Sequence, residues 1–178
     1  MSPNELNFLL STPYFRKCSL TNMAMFRGHL KTRIVQENET IFSQGVVESN
    51  WYLLREGSVQ IKRTSQTGVA STLAEISAGE AFGEMGILER APRLATAIAT
   101  ESTVLYVLEA SVFQTLLEEA DPVALAMLRA MAVTQSRRLR EMTLTMQDLT
   151  ELDDLGDYAP TTGPLDLGSL LSASYLLS

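Results

Sequence analysis

The chain has 178 residues, 46% of them hydrophobic, and a formal net charge of −7. That suffices for one domain with a core and an appendage, and the composition is that of a folded chain. The acidity argues against nucleic acid or an anionic membrane as the main partner, so an anionic ligand requires a local basic site.

Cys18 is the only cysteine, which excludes an intrachain disulfide and an iron–sulfur cluster held by a single chain. His29 is the only histidine, which speaks against cupin-type metal enzymes, whose sites use several; haem on one His stays open. No metal site and no catalytic set is expected. No apolar run approaches a membrane span, and the N-terminus lacks the charged-then-apolar pattern of a signal peptide. A cytoplasmic location is therefore expected.

Residues 3–31 read as helical. Leu6, Phe8, Leu9, Leu10 and Phe15, then Met23, Met25, Phe26 and Leu30, recur at helical intervals and are assigned to the core. Ser11-Thr12-Pro13 breaks the run, and Ser19 is placed to cap a second helix.

Residues 33–108 read as short strands between turn signals, the pattern of a small barrel or roll. The strands fall at 33–36, 40–43, 51–55, 58–63, 69–76, 94–100 and 103–108. Glu56-Gly57 makes a compact turn, and residues 64–68 a polar hairpin tip. Ala95, Ala97 and Ala99 alternate, so small inward side chains leave room for a ligand.

Between the fifth and sixth of these strands lies Gly79-Glu-Ala-Phe-Gly-Glu-Met-Gly-Ile-Leu-Glu-Arg-Ala-Pro-Arg93. Physically it suits a phosphorylated sugar. Gly83 removes a Cβ where backbone approaches a ligand closely. Residues 84–89 form one helical turn whose first N–H groups lack intrahelical partners. Arg93 offers a planar fork to two phosphate oxygens, and Glu84 offers acceptors to sugar hydroxyls. Pro92 ends the turn.

Ser111 to Gln114 reads as a capping box opening a short helix, and Asp121-Pro122 as N-cap and N1 of a long helix over about 122–152. At 1.5 Å per residue that helix is roughly 45 Å long, too long to bury itself on a small roll. Leu125, Leu128, Ala132, Gln135, Leu139, Met142, Met146 and Leu149 follow 3-4 spacing, a heptad seam broken by Gln135. A parallel homodimer through this seam is expected. A second apolar set, Met127, Ala130, Met131 and Val133, packs the first half onto the roll. Arg129, Arg137, Arg138 and Arg140 read as a salt-bridged, solvated face. From Glu141 onward every charge is acidic. Residues 153–178 form an acidic, then Leu/Ser-rich tail, either linker or docking segment, and residues 1–152 the domain with its helix. The tail shows no basic helix-turn-helix pattern.

Several of these strings resemble the cyclic-nucleotide-binding domain family. They are Phe82-Gly83-Glu84-Met85 with Pro92-Arg93-Leu94-Ala95-Thr96, Glu39-Thr-Ile-Phe-Ser-Gln-Gly45, and Gly57-Ser58-Val59. Arg137-Arg138-Leu139 resembles the dimerisation helix of the catabolite activator branch. The resemblance implies an α+β fold: an antiparallel β-roll (double-stranded β-helix or jelly-roll) flanked by N-terminal helices and a long C-terminal dimerisation helix. It implies that Arg93 holds the cyclic phosphate and Glu84 the ribose 2′-OH, with Phe82, Gly83, Met85, Leu94 and Ala95 around them. Ile61, Leu73 and Ile76 would line the base side, and Thr143 would reach the purine. Leu94 lacks the hydroxyl that relatives often place there, which favours cAMP over cGMP. The expected function is a cyclic-nucleotide sensor that signals to a protein effector, without catalysis or nucleic acid. The alternatives are a ligand-free dimeric scaffold and a transcription regulator of the catabolite activator type.

Overall fold

The structure, a computed structural model, describes the backbone of residues 3–154 and the side chains of residues 4–140, 143 and 144. Helices α1 (Pro3–Ser11) and α2 (Leu20–Phe26) come first. Then follow β1 (Lys31–Val35), β2 (Thr40–Phe42), β3 (Trp51–Glu56), β4 (Val59–Thr64), β5 (Ala70–Ile76) and β6 (Ala81–Phe82). After α3 (Glu84–Glu89) come β7 (Thr96–Ala99), β8 (Thr103–Leu108), α4 (Ala110–Glu118) and α5 (Pro122–Asp154). The predicted strands are all present, with ends shifted by one or two residues. β6 is an additional strand, where the sequence reading had only a turn leading toward Gly83.

The strands form two antiparallel four-stranded sheets, β1-β8-β3-β6 and β2-β7-β4-β5. The two central strands of the first sheet show why the fold has three layers. Along β3, Trp51 and Leu53 face the helices while Tyr52 and Leu54 face the second sheet. Along β8, Tyr106 and Leu108 face the helices while Leu105 and Val107 face inward. A period of two with large apolar residues on both faces requires cover on both sides. The helices supply the outer cover through Leu9, Met23, Phe26, Phe113 and Leu116, joined by Phe15 from the α1–α2 connection. Met25, assigned to the core from its spacing, is instead 73% exposed. It lies on the outer side of a two-turn helix whose Met23 and Phe26 take the buried positions.

The helix boundaries follow their caps. Ser19 Oγ accepts the Asn22 N–H at 3.2 Å, and Asp121 Oδ1 accepts the N–H groups of Val123 and Ala124 at 2.9 and 2.8 Å. Both caps were legible in the sequence. The capping box at Ser111 is not formed. Glu109 occupies the N-cap position without a side-chain cap, because the chain turns into α4 directly after β8 ends at Leu108. Glu5 pins α1 to the sheet, its Oε1 accepting from Arg27 Nη2 at 3.2 Å and Tyr106 Oη at 3.1 Å.

α5 buries Val123, Ala124, Met127 and Met131, an i, i+4 stripe that lies on the helical side of the core. The expected division of its faces is only partly observed. Val133, assigned to the packed face, is exposed. Leu128, assigned to the seam, packs against the domain's own core. Leu125 and Leu139 are exposed, Leu139 by 67%. The side chains of Met142, Met146 and Leu149 lie outside the described residues, as does the 155–178 tail. No helix of the described residues is long and apolar enough to cross a membrane.

Candidate functional site

The site is built where β6, α3 and the connection from α3 to β7 meet the loop ahead of β3. Gly83 has φ +84°, and a Cβ there would stand 2.8 Å from Arg93 Nη1 and 2.9 Å from the Asn50 carbonyl. Gly86, inside α3, is under the same constraint: its Cβ would lie 2.6 Å from Arg93 Nη1. The two glycines therefore make room for the arginine itself. α3 starts at Glu84, and its first internal bond runs from the Ile87 N–H to the Gly83 carbonyl at 3.3 Å. It ends with Arg90 in the left-handed region, the Arg90 N–H closing on the Gly86 carbonyl at 2.9 Å.

Arg93 is 6% exposed, unusual for an arginine, and such burial requires a counter-charge. Glu48 supplies it. Glu48 Oε2 accepts from Arg93 Nε at 3.0 Å and from Arg93 Nη2. The carbonyls of Gly83 and Asn50 accept from Nη1 and Nη2 at 3.0 and 2.5 Å. Phe42 covers the guanidinium with its ring centroid 4.1 Å from Cζ. Glu48 Oε1 is held as well, by the Asn50 N–H at 3.0 Å and the Tyr52 hydroxyl at 2.9 Å. Burial, and next the Glu48 charge, push the Tyr52 phenol upward, so it donates as a neutral group. Tyr52 stacks on Phe82 with centroids 5.2 Å apart and planes 13° off parallel.

Glu84 points the other way, to α5. Its Oε1 accepts from Gln135 Nε2 at 2.8 Å and from Arg138 Nη1. Gln135, read from the sequence as a break in the seam, thus ties the long helix to the Phe82–Arg93 segment, the cassette. Arg138, expected on a salt-bridged, solvated face, is salt-bridged to the same carboxylate and is half-buried.

The remaining predicted positions spread over the roll. Phe82 and Ala95 are buried, and Gly83 is half-buried. Ile61 and Leu73, on β4 and β5, are half-buried, with Ile61 packed on the inter-sheet core. Met85 and Leu94 are exposed. Thr143 is exposed on α5, its hydroxyl donating to the Leu139 carbonyl at 2.9 Å. The structure therefore gathers Phe82, Gly83 and Arg93 into one cluster and joins Glu84 to α5. Sequence reasoning missed Glu48, Asn50, Phe42, Tyr52, Gly86 and the Gln135 contact. One signal for Glu48 was available: it is the only acidic residue between Glu39 and Glu56.

Comparison with known proteins decides the family. Residues 32–120, half of the chain, match the sequence model described as "Cyclic nucleotide-binding domain". The chain belongs to that family. It is 31% identical over 139 residues to the Cyclic AMP receptor protein of Thermus thermophilus, which covers 78% of this chain and 62% of that protein. It is 32% identical over 96 residues to a cAMP-dependent protein kinase regulatory subunit of Mycosarcoma maydis, covering 54% of this chain and 18% of that one. The crystal structure of the Thermus thermophilus catabolite activator protein superposes with a TM-score of 0.70 at 30% identity, covering 78% of this chain and 63% of the other. The chain thus spans less than two thirds of these proteins. As a member of this family, the domain has the antiparallel roll and flanking helices that the motifs implied.

Proposed function

We propose that this domain is a sensor for a cyclic nucleotide, cAMP in preference to cGMP, and that it regulates a partner protein and catalyses nothing itself. The carrying observation is the placement of Glu84 and Arg93 around α3, with Arg93 inside the roll and Glu84 on α5. The cyclic phosphate would take the place of Glu48 on the Arg93 fork. The ribose 2′-OH would compete with Gln135 and Arg138 for Glu84, and the base would lie toward α5. Two similar proteins carry cAMP in their names, which supports the choice of nucleotide. Leu94, without a hydroxyl, offers nothing further to guanine.

Because Glu84 serves both ligand and helix, occupancy redistributes its hydrogen bonds and biases how α5 sits on the roll. The output would travel along α5, through a parallel homodimer that includes Leu125 and Leu139. Isothermal titration with cAMP and cGMP tests the reading. Saturable heat with cAMP, abolished in Arg93→Ala, supports it; no heat with either nucleotide at millimolar concentration rejects it.

A second reading draws on a specific observation. Arg93 and Glu84 are both satisfied by side chains of the same chain, Glu48 and Arg138. A scaffold that keeps the roll and dimerises without ligand would look this way. Thermal stability indifferent to cAMP in wild type and in Glu48→Gln would favour the scaffold.

A further inference from the structure

The chain contains a cavity of about 510 Å³ that the cassette does not use. It is bounded by the connection between α1 and α2, by the β5–β6 turn, and by the face of α5 around Val133. Neither Arg93 nor Glu48 lines it. Its volume falls in the range of small-molecule sites.

Its charge is opposite to that of the protein. Arg16 and Lys17 contribute from the α1–α2 connection, and Arg129, Arg137 and Arg138 from α5. Among the described residues, the side chains of Arg16, Lys17 and Arg129 have no hydrogen-bond or ion-pair partner. Two carboxylates share the lining, one engaged by the neighbouring strand β4 and one by its own turn. Gln60 Nε2 donates to Glu75 Oε1 at 3.1 Å, and the Ser77 N–H donates to Glu80 Oε2 at 2.6 Å. In a chain of net charge −7, three unpaired cations around one hollow focus a positive field there.

The same cavity offers a flat apolar wall. Tyr14 lines it and is fixed edge-on against Trp51, with centroids 5.2 Å apart and planes at 77°. Ile76 and Val133 add aliphatic surface. Burial, then the Glu84 charge, push the Tyr14 phenol up to about 12, so the ring stays uncharged. Arg138 connects the cavity to the cassette, since it lines one and bonds Glu84 in the other.

We propose that this cavity is a second binding site, for a small organic polyphosphate, and that it shares Arg138 with the cassette carboxylate Glu84. Arg16, Lys17 and Arg129 hold the phosphates, and the Tyr14 wall takes the organic body. An anion seated there competes with Glu84 for Arg138, so the two sites are linked, each altering the other by the same factor.

The test uses the full chain and inorganic pyrophosphate, titrated calorimetrically at constant ionic strength with no cyclic nucleotide present. Its outcome is therefore independent of the cAMP reading. Wild type is expected to bind. The double variant Arg16→Glu/Arg129→Glu is expected to lose at least tenfold in affinity, as is Lys17→Glu in part, with unchanged circular dichroism because none of the three has a partner to lose. Arg93→Ala is expected to bind pyrophosphate as wild type does. No binding to wild type at millimolar pyrophosphate overturns the proposal. So does binding abolished by Arg93→Ala and untouched by the charge reversals, which would place the anion in the cassette. Arg138→Ala is expected to weaken pyrophosphate severalfold, and an unchanged affinity overturns the shared arginine.

Discussion

Replacing Glu48 by Gln isolates the step on which ligand binding turns. In the free protein the carboxylate accepts two charge-assisted hydrogen bonds from the buried Arg93 fork. Each is worth about 1.5–3 kcal/mol. A cyclic phosphate returns equivalent bonds to Arg93, so the net cost of exchange is smaller. It consists of moving Glu48 off its four donors, less what water returns to it, and of the repulsion between Glu48 and the phosphate. Glu48 is 23% exposed, so water recovers much of the first part. A net penalty of ~1–2 kcal/mol remains. The amide of Gln bonds Arg93 about half as strongly and does not repel the phosphate. Glu48→Gln should therefore bind cAMP about five- to thirtyfold more tightly by isothermal titration. Its free form should be less stable, because the new NH2 group faces the Asn50 N–H that the carboxylate had accepted. Saturating cAMP should restore the lost thermal stability. A folded Glu48→Gln protein with equal or weaker cAMP affinity would refute the exchange and mean that Glu48 stays on Arg93 in the complex.

Arg93→Ala should weaken cAMP by ~3 kcal/mol, about a hundredfold by titration, and Arg93→Lys should rescue little because a point charge cannot replace the fork. An unchanged dissociation constant would place the phosphate elsewhere. Leu139→Asp, at the exposed centre of α5, should give monomers in light scattering while leaving the circular dichroism of the roll intact; a persistent dimer would move the interface to another surface. Tyr14 carries a pH signature. Its phenol ionises at about 12 in the folded chain against 10.0 as the ordinary value, so the folded state favours the protonated form. That contribution is complete below pH 10 and is lost as pH rises toward 12, on the order of 2–3 kcal/mol. Urea unfolding of wild type against Tyr14→Phe should show the two stability curves separating across this window, and parallel curves would contradict it.

The roll was legible because its strands carry a period of two between glycine and asparagine turns, and the caps at Ser19 and Asp121 because a short polar side chain at a helix start has one function. The cassette was legible because its residues are contiguous. What the sequence did not disclose is pairing across distance. Glu48 and Arg93 are separated by 45 residues, Glu84 and Arg138 by 54, and the one local mark is that Glu48 is the only acidic residue between Glu39 and Glu56. Two positions of the seam were misjudged for the same reason. Spacing places Leu128 and Gln135 on one stripe with Leu139, but the first part of α5 packs beside α2 and α4, and Leu128 joins that core. Gln135 then faces Glu84 across a gap that periodicity cannot see.

These pairings place affinity and signalling in opposition. Glu48 and Arg138 each hold a cassette residue that the nucleotide needs, so weakening either hold helps the ligand bind. They differ in what lies behind them. Glu48 is fixed to Asn50 and Tyr52 within the roll, and its release changes only the roll. Arg138 belongs to the helix, and its release changes the helix. A ligand can shift the position of α5 only by the difference in free energy it makes between the held and released helix. Removing Glu48 should therefore raise affinity and preserve the shift. Removing Arg138 should raise affinity for the ribose at Glu84 and diminish the shift, because only the Gln135 bond then remains for the ligand to break.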